Sequence, residues 1–166
     1  IDIWINDSGN ANRLNIQTTT AYTGSSGLLH VLFSWDVANT VAHCYINDVA
    51  TLTTTVNSAT NTLDYTRDSW RIGASQGAGN QKFFGEIGQL YVNLAAYLDF
   101  SVESNRRKFV TAGIKPVDLG AAGATPTGTA PLIFMNNTLA TWETNLGTGG
   151  GFTETGSITA GTDIAA

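Results

Sequence analysis

The stretch from Leu28 to Asp48, LLHVLFSWDVANTVAHCYIND, constrains the chain more than any other. Two runs of strand-forming residues flank the short turn VANT, which predicts an antiparallel hairpin. Successive side chains of a strand point to opposite faces. Leu29, Val31, Phe33 and Trp35 therefore share one face, and Leu28, His30, Leu32 and Ser34 share the other. The first set is the better core face. Such a hairpin needs a second layer to bury it.

The rest of the chain supplies further strands. IDIWIN (1–6) is strand-like and is followed by the turn-rich DSGNAN (7–12). RLNIQT (13–18) alternates, with Leu14 and Ile16 on one face. VATLTTTV (49–56) continues the meander after Asn47-Asp48. NSATNTLDYTRD (57–68) is polar and irregular, a loop. SWRIGAS (69–75) reads as a short strand with Trp70 and Ile72 together, and QGAGNQ (76–81) as a turn. In FFGEIGQLYVN (83–93) the alternation breaks. An extra residue at Gly88-Gln89, a β-bulge, would bring Ile87, Leu90 and Val92 to one core. SVESNRRKFVTAG (101–113) predicts a helix capped by Ser101, carrying a Glu103–Arg107 pair one turn apart and stopped by Gly113.

This pattern predicts an all-β antiparallel β-sandwich with one short helix. Residues 1–119 are expected to form the sandwich. The chain starts at Ile1 already in a strand, which points to residues upstream. Residues 120–166 form a Gly/Thr-rich extension with one or two strands, among them PLIFM (131–135). Trp142 and Phe152 are its anchors. The extension either completes the sheet or reaches a neighbouring subunit.

Charge narrows the partners. Lys and Arg number 8 against 13 Asp and Glu, giving a net charge of −5, and the isoelectric point is near 4.7. A nucleic-acid binder usually carries a basic stripe. Here only Arg106, Arg107 and Lys108 cluster, beside Glu103, and a solvated helix face accounts for them. No apolar run approaches the ~20 residues of a membrane-spanning helix. Charged residues make up only 13%, about half the usual share. That suits either a neutral, threonine-rich β surface or a surface that lies against something else.

Nucleophilic and metal chemistry find little to use. Cys44 is the single cysteine, and it packs among strand formers as a small hydrophobe. His43 points to the opposite face. Two histidines and one cysteine offer no zinc-type spacing. Calcium prefers six to eight oxygen ligands; Asn6, Asp7 and Asn10 would supply some, but a plain polar turn is the simpler reading, and no cofactor is expected. Glycoside hydrolysis needs two carboxyls about 5–5.5 Å or about 6.5–9.5 Å apart. Glu86 is followed on its own face by Gly88 and Leu90, and only distant acids such as Asp64 or Asp68 remain to pair with it. An enzyme is not expected.

Three stretches, in order, resemble a known family. LLHVLFSWDVANTVAHCYIND resembles the "W-H-H-V … D … hydrophobic-Y-hydrophobic-N-G" hairpin of laminin-G/pentraxin-like, concanavalin A-like jelly rolls. SWRIGAS resembles the next "hydrophobic-hydrophobic-I-G" strand, and FFGEIGQLYVN the "F-x-G-x-I-D-E-hydrophobic-x-hydrophobic-Y" strand. The resemblance covers residues 13–112. It departs from the pattern at Leu28-Leu29, at Asp48 in the place of a turn glycine, and at Gly88 in the place of an acid that calcium-binding relatives use. SVESNRRKFV, KPVDLG, TPTGTAP and GTGGGF resemble the ends of laminin-G-like proteins encoded in bacteriophages and prophages. That second resemblance implies a virion structural protein, in a capsid decoration or tail/adhesion role. Its partners would be other virion proteins in a repeating assembly or homo-oligomer, with no nucleic acid and no membrane insertion.

The lectin-like fold also implies carbohydrate binding, either to host surface glycans or as a module of a secreted or cell-surface protein. Sugars would meet loop aromatics and amides. Trp4, Tyr22, Tyr65, Trp70 and Trp142, with Asn61 and Arg67, are the candidates, and Tyr22, Tyr65, Arg67 and Asn61 are the favoured carbohydrate-binding set. Trp35 and Trp70 fall on expected core faces.

Overall fold

The computed structural model describes residues 1–161 apart from 8, 10, 24–26, 57–62, 64, 66–69 and 74–82. Among the described residues, the chain forms antiparallel strands with almost no helix, an all-β fold. Strands β1 (Asp2–Asn6), β2 (Asn12–Gln17) and β6 (Thr53–Val56) make one sheet in the order β1-β2-β6. Strands β3 (Val31–Asp36), β4 (Val41–Ile46) and β5 (Val49–Ala50) make a second, in chain order. Strands β7 (Leu90–Val92) and β8 (Ile133–Met135) pair as a third.

In the first sheet Ile3 pairs with Ile16 and Ile5 with Leu14, so four aliphatic side chains share a face. Leu14 and Ile16 are fully buried. They pack with Cys44 and Ile46 of β4, together with Val31, Phe33 and Trp35 of β3. VATLTTTV joins the two sheets. Val49–Ala50 pairs with β4 and Thr53–Val56 pairs with β2, and the crossing point is pinned by the buried Thr51, whose N–H donates to the Cys44 carbonyl at 3.0 Å.

The expected core face of β3 is half of the answer. Leu32, on the other face, is buried among Phe100, Phe109, Val110, Leu119 and Phe134. Tyr45, its cross-strand partner, packs against the same group. The β3–β4 hairpin is therefore apolar on both faces, and the C-terminal half of the chain covers the second. Ser34 lies on that covered face, and its hydroxyl oxygen accepts the Phe100 N–H at 3.4 Å.

Two expected elements are shorter than the sequence suggests. The helix α1 spans only Glu103–Arg106, starts from Val102 and has no side-chain cap. Ser101 instead donates its hydroxyl to Asp99 Oδ1 at 2.6 Å. Adjacent Phe109 and Val110 are both buried, but no continuing helix carries them. The chain turns back instead. Thr111 N donates to Lys115 O and Val117 N to Phe109 O, around Ile114 at φ 61°.

The strand expected over 83–93 forms only at Leu90–Val92, where β8 supplies a partner. No bulge forms at Gly88-Gln89. Upstream, Phe83 folds its ring over Gly85, so close that a Cβ on Gly85 would lie 2.7 Å from Phe83 Cζ. The expected strand SWRIGAS is likewise absent over its described residues 70–73.

The extension joins the rest of the chain through β8, where Phe134 pairs with Tyr91 of β7, and Phe134 is 1% exposed. Asn145 braces β8 from outside: its Oδ1 accepts the Phe134 N–H at 2.9 Å, and its Nδ2 donates to the Leu132 carbonyl at 3.0 Å.

Candidate functional site

The densest polar cluster joins α1 to the β4–β5 turn. Asn47 and Asp48 form that turn with φ of 49° and 63°, the left-handed region that Asn and Asp tolerate better than most residues. Asp48 then offers its carboxylate to two arginines. Arg106 Nε donates to Oδ1 and Arg107 Nη2 to Oδ2, each at 2.6 Å. Arg107 also donates to Glu103 at 2.7 Å, the expected one-turn pair. Arg106 lies 4.3 Å above the Tyr45 ring and donates to the Phe100 carbonyl at 2.7 Å.

So the Arg106–Arg107 pair is not the solvated face its sequence suggested. It fastens the turn to α1. The Arg107 hydrogen bond, aided by Arg106, holds the Asp48 carboxyl below the usual carboxylate range against a smaller opposing effect of burial. The same bond to Asp48 raises Arg107. His30 borders this cluster. Its backbone N–H donates to Asn47 Oδ1 at 2.9 Å, and burial pushes its pKa down, against a Phe109 backbone hydrogen bond and the Asp48 charge.

The favoured sugar-binding residues are not brought together as an open platform. Tyr22 packs half-buried against the Leu14–Ile46 cluster. The Tyr65 hydroxyl accepts the Trp35 indole N–H at 2.8 Å, and burial raises its pKa. Asn61 and Arg67 lie outside the described residues. Trp142 is half-buried. The aromatic side chains that face solvent are others. Trp4, on the outer face of β1 opposite Asn15, is 66% exposed, and Phe84 is 91% exposed. Phe83, Trp70 and Tyr97 are exposed as well. The Phe83 backbone is tied to the segment after Trp70, its N–H donating to the Gly73 carbonyl at 2.8 Å. Reading FFGEIG as core strand hid the exposure of Phe83 and Phe84. The signal that could have revealed it is the paired glycines, Gly85 and Gly88, which deprive a strand of side chains to pack.

The acids are dispersed. Glu86 lies against Gly161, while Asp64 and Asp68 are outside the described residues. Asp7 is buried and ion-paired to Arg13 at 2.6 Å, so its charge is already matched, and Asn10 is not described. Among the described residues, no three His, Cys, Asp or Glu side chains group to hold a metal ion. Cys44 is 1% exposed, and burial pushes its thiol pKa up to about 11, far from the thiolate a nucleophile needs. His43, on the opposite face, sets Nε2 3.1 Å from Asp99 Oδ1.

Comparison with known protein families, with curated proteins and with solved structures returned no match to this chain.

Proposed function

We propose that this chain is a non-enzymatic structural component of a bacteriophage virion, a capsid decoration or tail/adhesion protein on a lectin-like sandwich. The observation that carries the reading is the exposure of the neighbouring Phe83 and Phe84, 56% and 91% exposed. Such exposed aromatic side chains offer a contact surface, and aromatic residues are enriched in the buried cores of protein interfaces. The low charge of 13% fits a surface that meets neighbours. The resemblance of residues 101–152 to the ends of phage-encoded proteins supports reading the assembly as a virion. Immunogold labelling of purified particles tests this. Label over the whole shell is expected for a decoration protein and label at one end for a tail component; unlabelled particles would overturn the reading.

A second reading, glycan binding, is favoured by Trp4. It stands on a hydrogen-bonded strand, 66% exposed, with an amide side chain across from it and the neutralised Arg13–Asp7 pair on the same sheet. A flat exposed indole suits the face of a neutral pyranose. Glycan-array binding that Trp4→Ala abolishes would support this role; binding unchanged in that variant would exclude Trp4 from it.

A further inference from the structure

We propose that His30 is the proton-sensing part of a latch between α1 and the β4–β5 turn, and that protonation of its ring frees α1 from that turn while the sheets stay paired. The His30 backbone is clasped to the turn from both sides. Its N–H donates to Asn47 Oδ1, and its carbonyl accepts the Asn47 N–H, each at 2.9 Å. The next residue, Asp48, holds α1 through Arg106 and Arg107. The ring therefore stands beside the latch, and the Asp48 charge acts on it.

The site favours a neutral ring. A hydrogen bond to the Phe109 backbone accommodates one ring proton. Nδ1 is buried, and among the described residues it has no hydrogen-bond partner. As a bare acceptor it tolerates that place. A second proton would set a charged N–H where nothing accepts it, and a buried unpaired charge is costly.

The surrounding charges offer no ready relief. Both oxygens of Asp48 are taken, one by Arg106 and one by Arg107. Glu103, on α1, is bonded to Arg107. Lys108, next to Phe109, is exposed. Two arginines against Asp48 and Glu103 make the latch neutral, and an imidazolium makes it positive. The new charge either stays unpaired or draws Asp48 from the arginines, and both loosen the latch. Two features make α1 responsive. It has four residues, too few to persist on helical bonds alone. Arg107 Nη1 is also buried without a partner among the described residues, so the closed latch leaves a donor unsatisfied. Release would uncover the Tyr45 ring, which Arg106 covers at 4.3 Å. This device is independent of the virion and glycan readings.

Amide hydrogen exchange of the full chain tests it, read by NMR at pH 7.5 and 5.5 and corrected for the intrinsic pH dependence of exchange. The Arg107 and Phe109 amides, bonded to the Glu103 and Arg106 carbonyls at 2.9 Å, report on α1. The amides of β2 and β4 report on the sheets. With the ring at its ordinary pKa of about 6.5 in the open form, the opening constant at Arg107 and Phe109 is expected to rise about threefold to tenfold on acidification. It is expected to exceed that of β2 and β4 at both pH values, and in His30→Gln to change by less than about twofold. Equal opening constants for α1 and the sheets would mean global unfolding and overturn the latch. The same rise in His30→Gln would overturn the role of His30. Should that variant not fold, the parent chain decides: a His30 ring that titrates by NMR at or above about 6.5 in the native protein would overturn the proposal.

Discussion

Asp48 and Arg106 stand 58 residues apart in sequence, with Arg106 Nε donating to Asp48 Oδ1 at 2.6 Å. A glycine would sit more easily at φ 63°, since the left-handed region strains any residue with a Cβ. The aspartate is explained by what its carboxylate holds. Asp48→Asn keeps the turn and removes the charge. It is expected to lower stability by about 1–2 kcal/mol, between the ranges for exposed and buried pairs, measured by urea unfolding. Asp48 is held below its unfolded pKa, so its stabilisation is present above about pH 4 and lost as pH falls through the folded value. The Asp48→Asn variant lacks that step.

His30 gives a separate acid step at higher pH. Its pKa is lowered, chiefly by burial, so the folded state favours the neutral ring. Stability is then full above the ordinary value of about 6.5 and falls as pH drops below it, because the unfolded chain takes up the proton first. Urea midpoints at pH 7.5 and 5.5 are expected to differ more for the parent chain than for His30→Gln. Identical differences would show that His30 contributes nothing to the slope.

Cys44 is expected to resist thiol reagents. With the thiol buried and its pKa near 11, a disulfide reagent at pH 8 should label it only through unfolding. One equivalent should react promptly in denaturant. Rapid labelling of the native protein would contradict the packing of β4 against β2.

Phe134 tests whether the C-terminal stretch belongs to the core. Phe134→Ala is expected to cost about 3–5 kcal/mol, as for other buried aromatic residues, and to weaken the cluster around Leu32. Gly123→Ala should also destabilise, because Gly123 has φ 70° and its added Cβ would lie 2.8 Å from the Phe134 ring. A wild-type urea midpoint in Phe134→Ala would show that residues 120–150 pack independently.

The sequence made the strands legible where one face is apolar and the other polar. Leu14 and Ile16 in β2 alternate cleanly, and both are buried. β3 was harder, because Leu32 is as apolar as Phe33 and alternation cannot choose between two buried faces. The helix was overextended because Val102, Phe109 and Val110 imitate an apolar stripe, while in the fold the chain reverses after Val110 around Ile114. The strand over FFGEIG was misread because β-propensity reflects a packed neighbour, and β8 reaches only Leu90–Val92. At the candidate site, the exposure of Trp4 was not read from IDIWIN, although its alternation with Ile3 and Ile5 carries that signal. The Asp48 anchorage was not legible, because it depends on a contact between residues far apart in sequence.

The most direct measurement is the copy number of this chain in purified particles, by mass spectrometry with isotope-labelled peptides. The account expects a fixed number per particle, hundreds for a decoration protein or a few to a few tens for a tail component. Absence from particles would contradict it and leave carbohydrate binding through Trp4 as the reading to pursue.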